Sequence, residues 1–164
     1  MAARTEMAGL IALFRSQRAD ITTAVMDDEA VQNIFDLNRF WLDKIPLQRD
    51  TEGKKYFSPF KFLESGFGIV DAGDTAVSPD STFAMEGMVQ FNTARGDSLY
   101  IRGWAHNLYW TMALAMRSVV SDNDQWAKIT RGKVTLERKS YQDLADQFER
   151  MGFLPKPTRM QRGG

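Results

Sequence analysis

The stretch Thr82-Phe-Ala-Met-Glu-Gly-Met-Val-Gln-Phe91 decides the fold class. Phe83, Met85, Gly87, Val89 and Phe91 alternate with Ala84, Glu86, Met88 and Gln90. A period of two is the mark of a half-buried strand. Leu99 to Arg102 alternates similarly, and Asn92-Thr-Ala-Arg-Gly-Asp97 between them supplies turn residues, so the spacing predicts a hairpin. Upstream, Tyr56–Leu63 and Phe67–Asp71 read as shorter strands, the first demoted to an edge or bent strand by Pro59. Asp71 to Asp80, rich in Asp, Gly, Ser and Pro, reads as an exposed loop.

Outward from this centre the period becomes helical. Met7, Leu10, Ile11 and Phe14 fall on one face. A second helix opens at Asp27 or Asp28, where Glu29 adds negative charge to the positive end of the helix dipole. Its face runs through Val31, Ile34, Phe35 and Asn38, with Leu42 and Ile45 continuing the trend until Pro46 stops it. After the strands, Gly103 is expected to end the sheet. Trp104, Leu108, Met112, Ala115, Met116 and Val119 then give the longest helical face. Residues 126–136 fit either two short strands about Arg131-Gly132 or a break between two helices. Tyr141, Leu144, Ala145, Phe148 and Met151 form a last stripe, with Ser140 and Asp143 spaced as a capping box and Gly152 as its stop. Beyond it, two prolines forbid a helix in 153–164, whose charges, Lys156, Arg159 and Arg162, are all positive.

The expectation is an α+β fold: a helical body of about four helices with an inserted antiparallel β-sheet or hairpin and an extended C-terminal arm. Residues 1–152 are read as a single domain with its β insertion over 45–103, and 153–164 as the arm. The 164 residues suffice for one core of ordinary size.

Composition removes several functions. There is no cysteine, hence no disulfide frame, thiolate metal site or thiol nucleophile. The single His, His106, excludes multi-His metal sites. No apolar run has the roughly 18–20 residues of a membrane span, and Gly9–Phe14 is too short for a signal-peptide core, so synthesis in the cytoplasm is expected. The 21 basic and 21 acidic side chains cancel, which argues against a dedicated nucleic-acid binder. A chain without net repulsion also associates readily.

No catalytic signature stands out. His106 has no nucleophile elbow near it in sequence. Gly66-Phe-Gly68 lacks the third glycine and the following helix of a dinucleotide fingerprint. Asp71, Asp74 and Asp80, like Asp122-Asn-Asp124, have turn or cap spacing rather than that of a calcium loop. Arg102, Arg117, Lys128, Arg131, Lys133, Arg138 and Lys139 are interspersed with acids, as on a solvated surface. No catalytic, cofactor or metal residue is therefore assigned. Phe153 and Leu154, beside a proline in a cationic segment, read as a docking arm.

Three stretches resemble the small head–tail connector proteins of tailed bacteriophages, also called adaptor or head-completion proteins. Asp27-Asp-Glu-Ala-Val-Gln-Asn-Ile-Phe-Asp-Leu-Asn38, with Ile45-Pro-Leu47 soon after, resembles their acidic-start helix and x-Pro-Leu strand entry. Leu99-Tyr-Ile-Arg-Gly-Trp-Ala-His-Asn-Leu-Tyr109 resembles their short strand, glycine and long helix. Lys133-Val-Thr-Leu-Glu-Arg-Lys-Ser-Tyr-Gln-Asp-Leu-Ala-Asp-Gln-Phe-Glu-Arg150 resembles their basic entry to a final amphipathic helix. The resemblance spans about residues 20–152; the first helix and the Pro-interrupted arm have no match in it.

It implies a virion structural protein at the neck, not an enzyme and without cofactors. Such proteins form a ring, commonly of about twelve copies closed by a head-to-tail interface. The ring binds the portal protein, lets genomic DNA pass without sequence-specific contact, and receives a tail-side neck protein; no membrane is involved. In this chain Phe153, Leu154, Lys156, Arg159, Met160 and Arg162 would be the arm that grips the portal. Alternatives are another neck component, such as a tail terminator or stopper, a small enzyme or ligand-binding domain using His106, or a DNA-binding regulator using Lys128–Lys139.

Overall fold

A computed structural model describes residues 3–130 and 137–152 of the chain. The fold is α+β. Helices α1 (Ala8–Gln17), preceded by a 3-10 turn at Thr5–Met7, and α2 (Asp28–Leu37) lead into eight short strands. These are β1 (Phe40–Pro46), β2 (Gln48–Arg49), β3 (Lys55–Phe57), β4 (Gly68–Val70), β5 (Ala76–Val77), β6 (Ser81–Phe83), β7 (Met88–Gln90) and β8 (Tyr100–Ala105). Helices α3 (Leu108–Ser121), α4 (Asn123–Thr130) and α5 (Arg138–Met151) follow.

The apolar stripes build a helical core. Met7, Leu10, Ile11 and Phe14 are all buried, as are Val31 and Phe35 of α2. Against them lie Leu108, Met112, Ala115, Met116 and Val119 of α3, so this helix is central. Each fully buried side chain of this size stabilises the fold by about 1.5–3 kcal/mol. Tyr141 and Ala145 of α5 close the other side, and the Tyr141 hydroxyl donates to Asp20 Oδ2 at 2.6 Å. Asp27 caps α2 by accepting from the Ala30 N–H at 2.7 Å.

The strands form two antiparallel four-stranded sheets, ordered β1-β8-β4-β5 and β2-β3-β7-β6. Leu47 carries the chain from one sheet to the other. A second, smaller core lies here, around Leu42, Tyr56, Leu63, Val89, Phe91, Leu99 and Ile101.

Several expectations are corrected. The second helix does not run to Pro46. It ends at Leu37, and Phe40–Pro46 is a strand, because Phe40, Trp41 and Leu42 pair with Ala105, Trp104 and Gly103 of β8. Over this stretch Phe40 and Leu42 also satisfy a period of two, and the sheet offers them a partner. Thr82–Phe91 is not one strand. It folds back at Gly87 (φ +65°), so β6 and β7 pair with each other, and β8 belongs to the other sheet. No side chain fits at Gly87, because a Cβ would lie 2.1 Å from the Phe60 carbonyl oxygen.

The sheet does not end at Gly103. It continues to Ala105, Trp104 is a strand residue, and α3 begins at Leu108 with Asn107 as its cap. Of Tyr56–Leu63 only the start is a strand, and the 71–80 loop contains β5. The Ser140–Asp143 box is absent: α5 starts from Glu137, which makes no side-chain cap bond, and Ser140 lies inside the first turn. For 126–136, Trp126–Thr130 is helical and the remainder lies outside the described residues.

Candidate functional site around His106

His106 sits between β8 and α3, where the sheet hands over to the helical body. It is buried, 2% exposed. Its backbone N–H donates to the Phe62 carbonyl at 3.0 Å. Nδ1 lies 3.0 Å from the Phe35 carbonyl oxygen in the last turn of α2, and Nε2 lies 2.8 Å from Glu64 Oε1. A carbonyl only accepts, which puts a hydrogen on Nδ1. The Nε2–Oε1 contact ties the other edge of the ring to the carboxylate. The edge of the Phe35 ring meets the imidazole at 5.4 Å between centroids.

Glu64 belongs to a larger network. Arg4 forks onto Asp36, with Nη1 to Oδ2 at 2.7 Å and Nη2 to Oδ1 at 2.8 Å, and Nη2 also reaches Glu64 Oε1 at 3.0 Å. The Arg4 backbone N–H donates to Gln32 Oε1. Arg39 adds charge 3.8 Å from Asp36 and 4.0 Å from Glu64 while its guanidinium lies 3.9 Å over the Trp104 ring. The hydrogen bond from Arg4 holds the Asp36 carboxyl below the usual range, with the charges of Arg4 and Arg39 assisting against the cost of burial. Bidentate Arg–carboxylate geometry of this kind fixes orientation as well as charge.

This network limits the chemistry available. Ligand atoms of Asp36, Glu64 and His106 lie within 4.8 Å of one another, a spacing compatible with a metal. The Arg4 guanidinium already supplies the cation there, and both imidazole nitrogens are engaged. A metal would have to displace Arg4. A substrate proton could be taken by His106 only after one of its two bonds broke.

His106 also borders an apolar cavity of about 290 Å³. Phe40, Phe60, Phe62 and Tyr109 line it, with Met151 and Gly152 at the end of α5. The rings stand in two edge-to-face pairs, Phe40–Phe60 at 5.3 Å and Phe62–Tyr109 at 6.1 Å. Phe62 adopts φ +58°, a conformation that costs a bulky residue about 1–2 kcal/mol.

The other sequence candidates are dispersed. Asp71 Oδ1 accepts from the N–H groups of Gly73 and Thr75, Asp80 accepts from Asn92, and Asp122 caps α4 through Asp124 and Gln125. Asp74 pairs with Lys44 and Arg102. Gly68 lies in β4 as a strand glycine. Arg102 is on the sheet, Arg117 pairs with Asp146 and Glu149 of α5, and Arg138 bonds Asn123. The arm residues Phe153, Leu154, Lys156, Arg159, Met160 and Arg162 lie outside the described residues, as do Arg131 and Lys133.

Sequence reasoning missed Arg4, Asp36, Glu64 and the four cavity aromatics. Arg4 meets its partners across 32 and 60 residues, a separation that leaves no local signal. Comparison of the chain with family models, curated proteins and solved structures finds no match.

Proposed function

We propose that this chain is a ring-forming head–tail connector subunit of a tailed bacteriophage. One observation carries the reading. The described parts of the three segments that resemble the connector family lie in one body: α2 and α5 both pack on α3, and β8 leads directly into α3. The strand-rich end extends from that body with Trp41, Phe57 and Phe83 exposed. A ring needs two different surfaces that fit each other head to tail, and exposed apolar side chains stand at both ends, Leu37, Trp110 and Met151 on the helical body opposite Trp41, Phe57 and Phe83 on the strands. In this reading copies encircle the DNA path beneath the portal, bind a tail-side neck protein below, and hold the portal through the arm at 153–162. The balanced charge suits a channel through which DNA slides without sticking.

The enzyme alternative has less support, since His106 is fully engaged. The test is to purify DNA-filled particles and count this chain. About twelve copies per particle are expected for the connector ring. About six copies would favour a terminator or stopper, and absence from particles would overturn the virion reading altogether.

A further inference from the structure

We propose that the sheet β2-β3-β7-β6 continues from one copy of this chain into the next, edge strand β6 pairing with edge strand β2 of a second copy. The proposal names the contact between neighbours and rests on the ring reading only for closure of the circle. It leaves Leu37, Trp110 and Met151 of the helical body outside that contact.

The first support is the pairing pattern. Every pair in this sheet is antiparallel, so its four strands alternate in direction and β2 and β6 run oppositely. A second copy set beside the first in the same orientation therefore presents β2 antiparallel to β6. The junction repeats the alternation of the sheet, and each copy uses both edges, as a head-to-tail contact requires. Among the described residues no further strand pairs with either edge, and β2 and β6 are exposed at every position. An open edge offers unpaired N–H and C=O groups to another strand. Ser81-Thr-Phe83 carries neither the charge nor the proline that commonly guards an edge.

The second is the outer face of the sheet. Phe57, Met88 and Phe83 are register partners across β3, β7 and β6 and form one row, while Tyr56 and Val89 face the core on the other side. Phe57 and Phe83 are exposed and Met88 is half-buried. Gln48 of β2 is the partner of Phe57, so the row starts at one edge and ends, at Phe83, at the other. Across the junction Phe83 stands beside Gln48 of the second copy, and the apolar row resumes one strand further on. Strands of two and three residues make few hydrogen bonds, and this row supplies the burial they lack.

The third is charge. Asp80 and Glu86 bracket β6, and no Lys or Arg occurs between Phe62 and Ala94. At the opposite edge Arg49, Lys54 and Lys55 stand against Asp50 and Glu52, and Asp50 is turned onto the backbone N–H groups of Lys54 and Lys55. The acidic edge of one copy thus meets the basic edge of the next. Two copies meeting β6 to β6 would set like charges together.

The absence of native cysteine makes the test direct. Chains carrying Gln48→Cys and chains carrying Ser81→Cys, exposed edge positions on the face of the apolar row, are mixed at high concentration and treated with a short bis-maleimide. A covalent dimer should form in the mixture at several-fold the yield from either chain alone. Adding Phe83→Ser or Glu86→Lys to the Ser81→Cys chain should cut that yield several-fold, with an unchanged circular dichroism spectrum. No dimer in the mixture, equal product from one variant alone, or a yield that ignores both substitutions overturns the proposal. The particle count tests the ring reading separately. Particles that hold the expected ring but whose Cys-bearing chains do not cross-link would keep that reading and overturn this contact. A cross-link in a chain absent from particles would keep the contact and overturn the virion reading.

Discussion

The helical and strand-rich ends of the molecule are held by different means. In the helical end, long elements bury whole side chains: Met7, Leu10, Phe14, Val31, Phe35, Met116 and Val119 are all inaccessible. In the strand-rich end, most strands are two or three residues long and the core is smaller. Its loops are instead tied by side chains to backbone. Asp50 accepts from Lys54 and Lys55, Asp71 from Gly73 and Thr75, Asp80 from Asn92, and the Tyr56 hydroxyl donates to the carbonyls of Arg95 and Asp97. Short strands cannot bury enough surface to fix their own register. Polar ties and turn glycines do part of that work, so the two ends should respond to different kinds of damage.

The largest effect should come from the helical end. Phe35 touches Phe14 edge-on at 6.2 Å and covers His106. Phe35→Ala should cost about 3–5 kcal/mol in urea unfolding. A loss below about 1 kcal/mol, within the range of a surface change, would break the contrast.

The strand-rich end should be most sensitive at its backbone. Gly87→Ala places a methyl group against the Phe60 carbonyl at positive φ, and should cost about 2–3 kcal/mol. Amide exchange should show that loss first in β6 and β7.

A smaller effect tests the network between the ends. Asp36 is held below the ordinary carboxyl range in the folded chain, so its contribution is present above the unfolded value and lost as pH falls through the folded one. Asp36→Asn should therefore flatten the acid side of the stability–pH curve, below the usual Asp value of about 4, and lower stability near neutral pH. An unchanged acid limb would remove Asp36 from the network's energetics.

The smallest change should be Arg117→Ala. Arg117 pairs with Asp146 and Glu149 at an exposed site on α3 and α5, and such pairs contribute about 0–1 kcal/mol. A high-salt melt of the parent chain should show the same small loss.

The same contrast explains what was legible in the sequence. The helical stripes were readable because their period is local: Leu10, Phe14, Val31, Phe35, Met112, Met116 and Tyr141 were all placed on buried faces. The α+β class followed from the alternation about Val89. Strand pairing was not readable. A period of two runs unbroken through the 84–87 turn, and nothing local distinguishes Leu42 on a helix from Leu42 paired with Gly103. Of the site, His106 stands out in the sequence as the single imidazole, but its partners do not, because they converge from distant segments. The aspartates have turn and cap spacing in the sequence, and Asp71 and Asp122 stand in a turn and a cap.

His106 has a consequence for the order of folding. Its bonds span 42 residues to Glu64 and 71 to Phe35, and contacts of such separation close late, after helices and local turns have formed. Its side chain is then a late-closing bolt between halves that have already collapsed. Interactions absent from the transition state govern escape from the native state rather than arrival at it. A His106→Ala chain should therefore refold at nearly the parent rate and unfold faster in denaturant-jump kinetics. The lone imidazole of this sequence would then set how long the two ends stay joined.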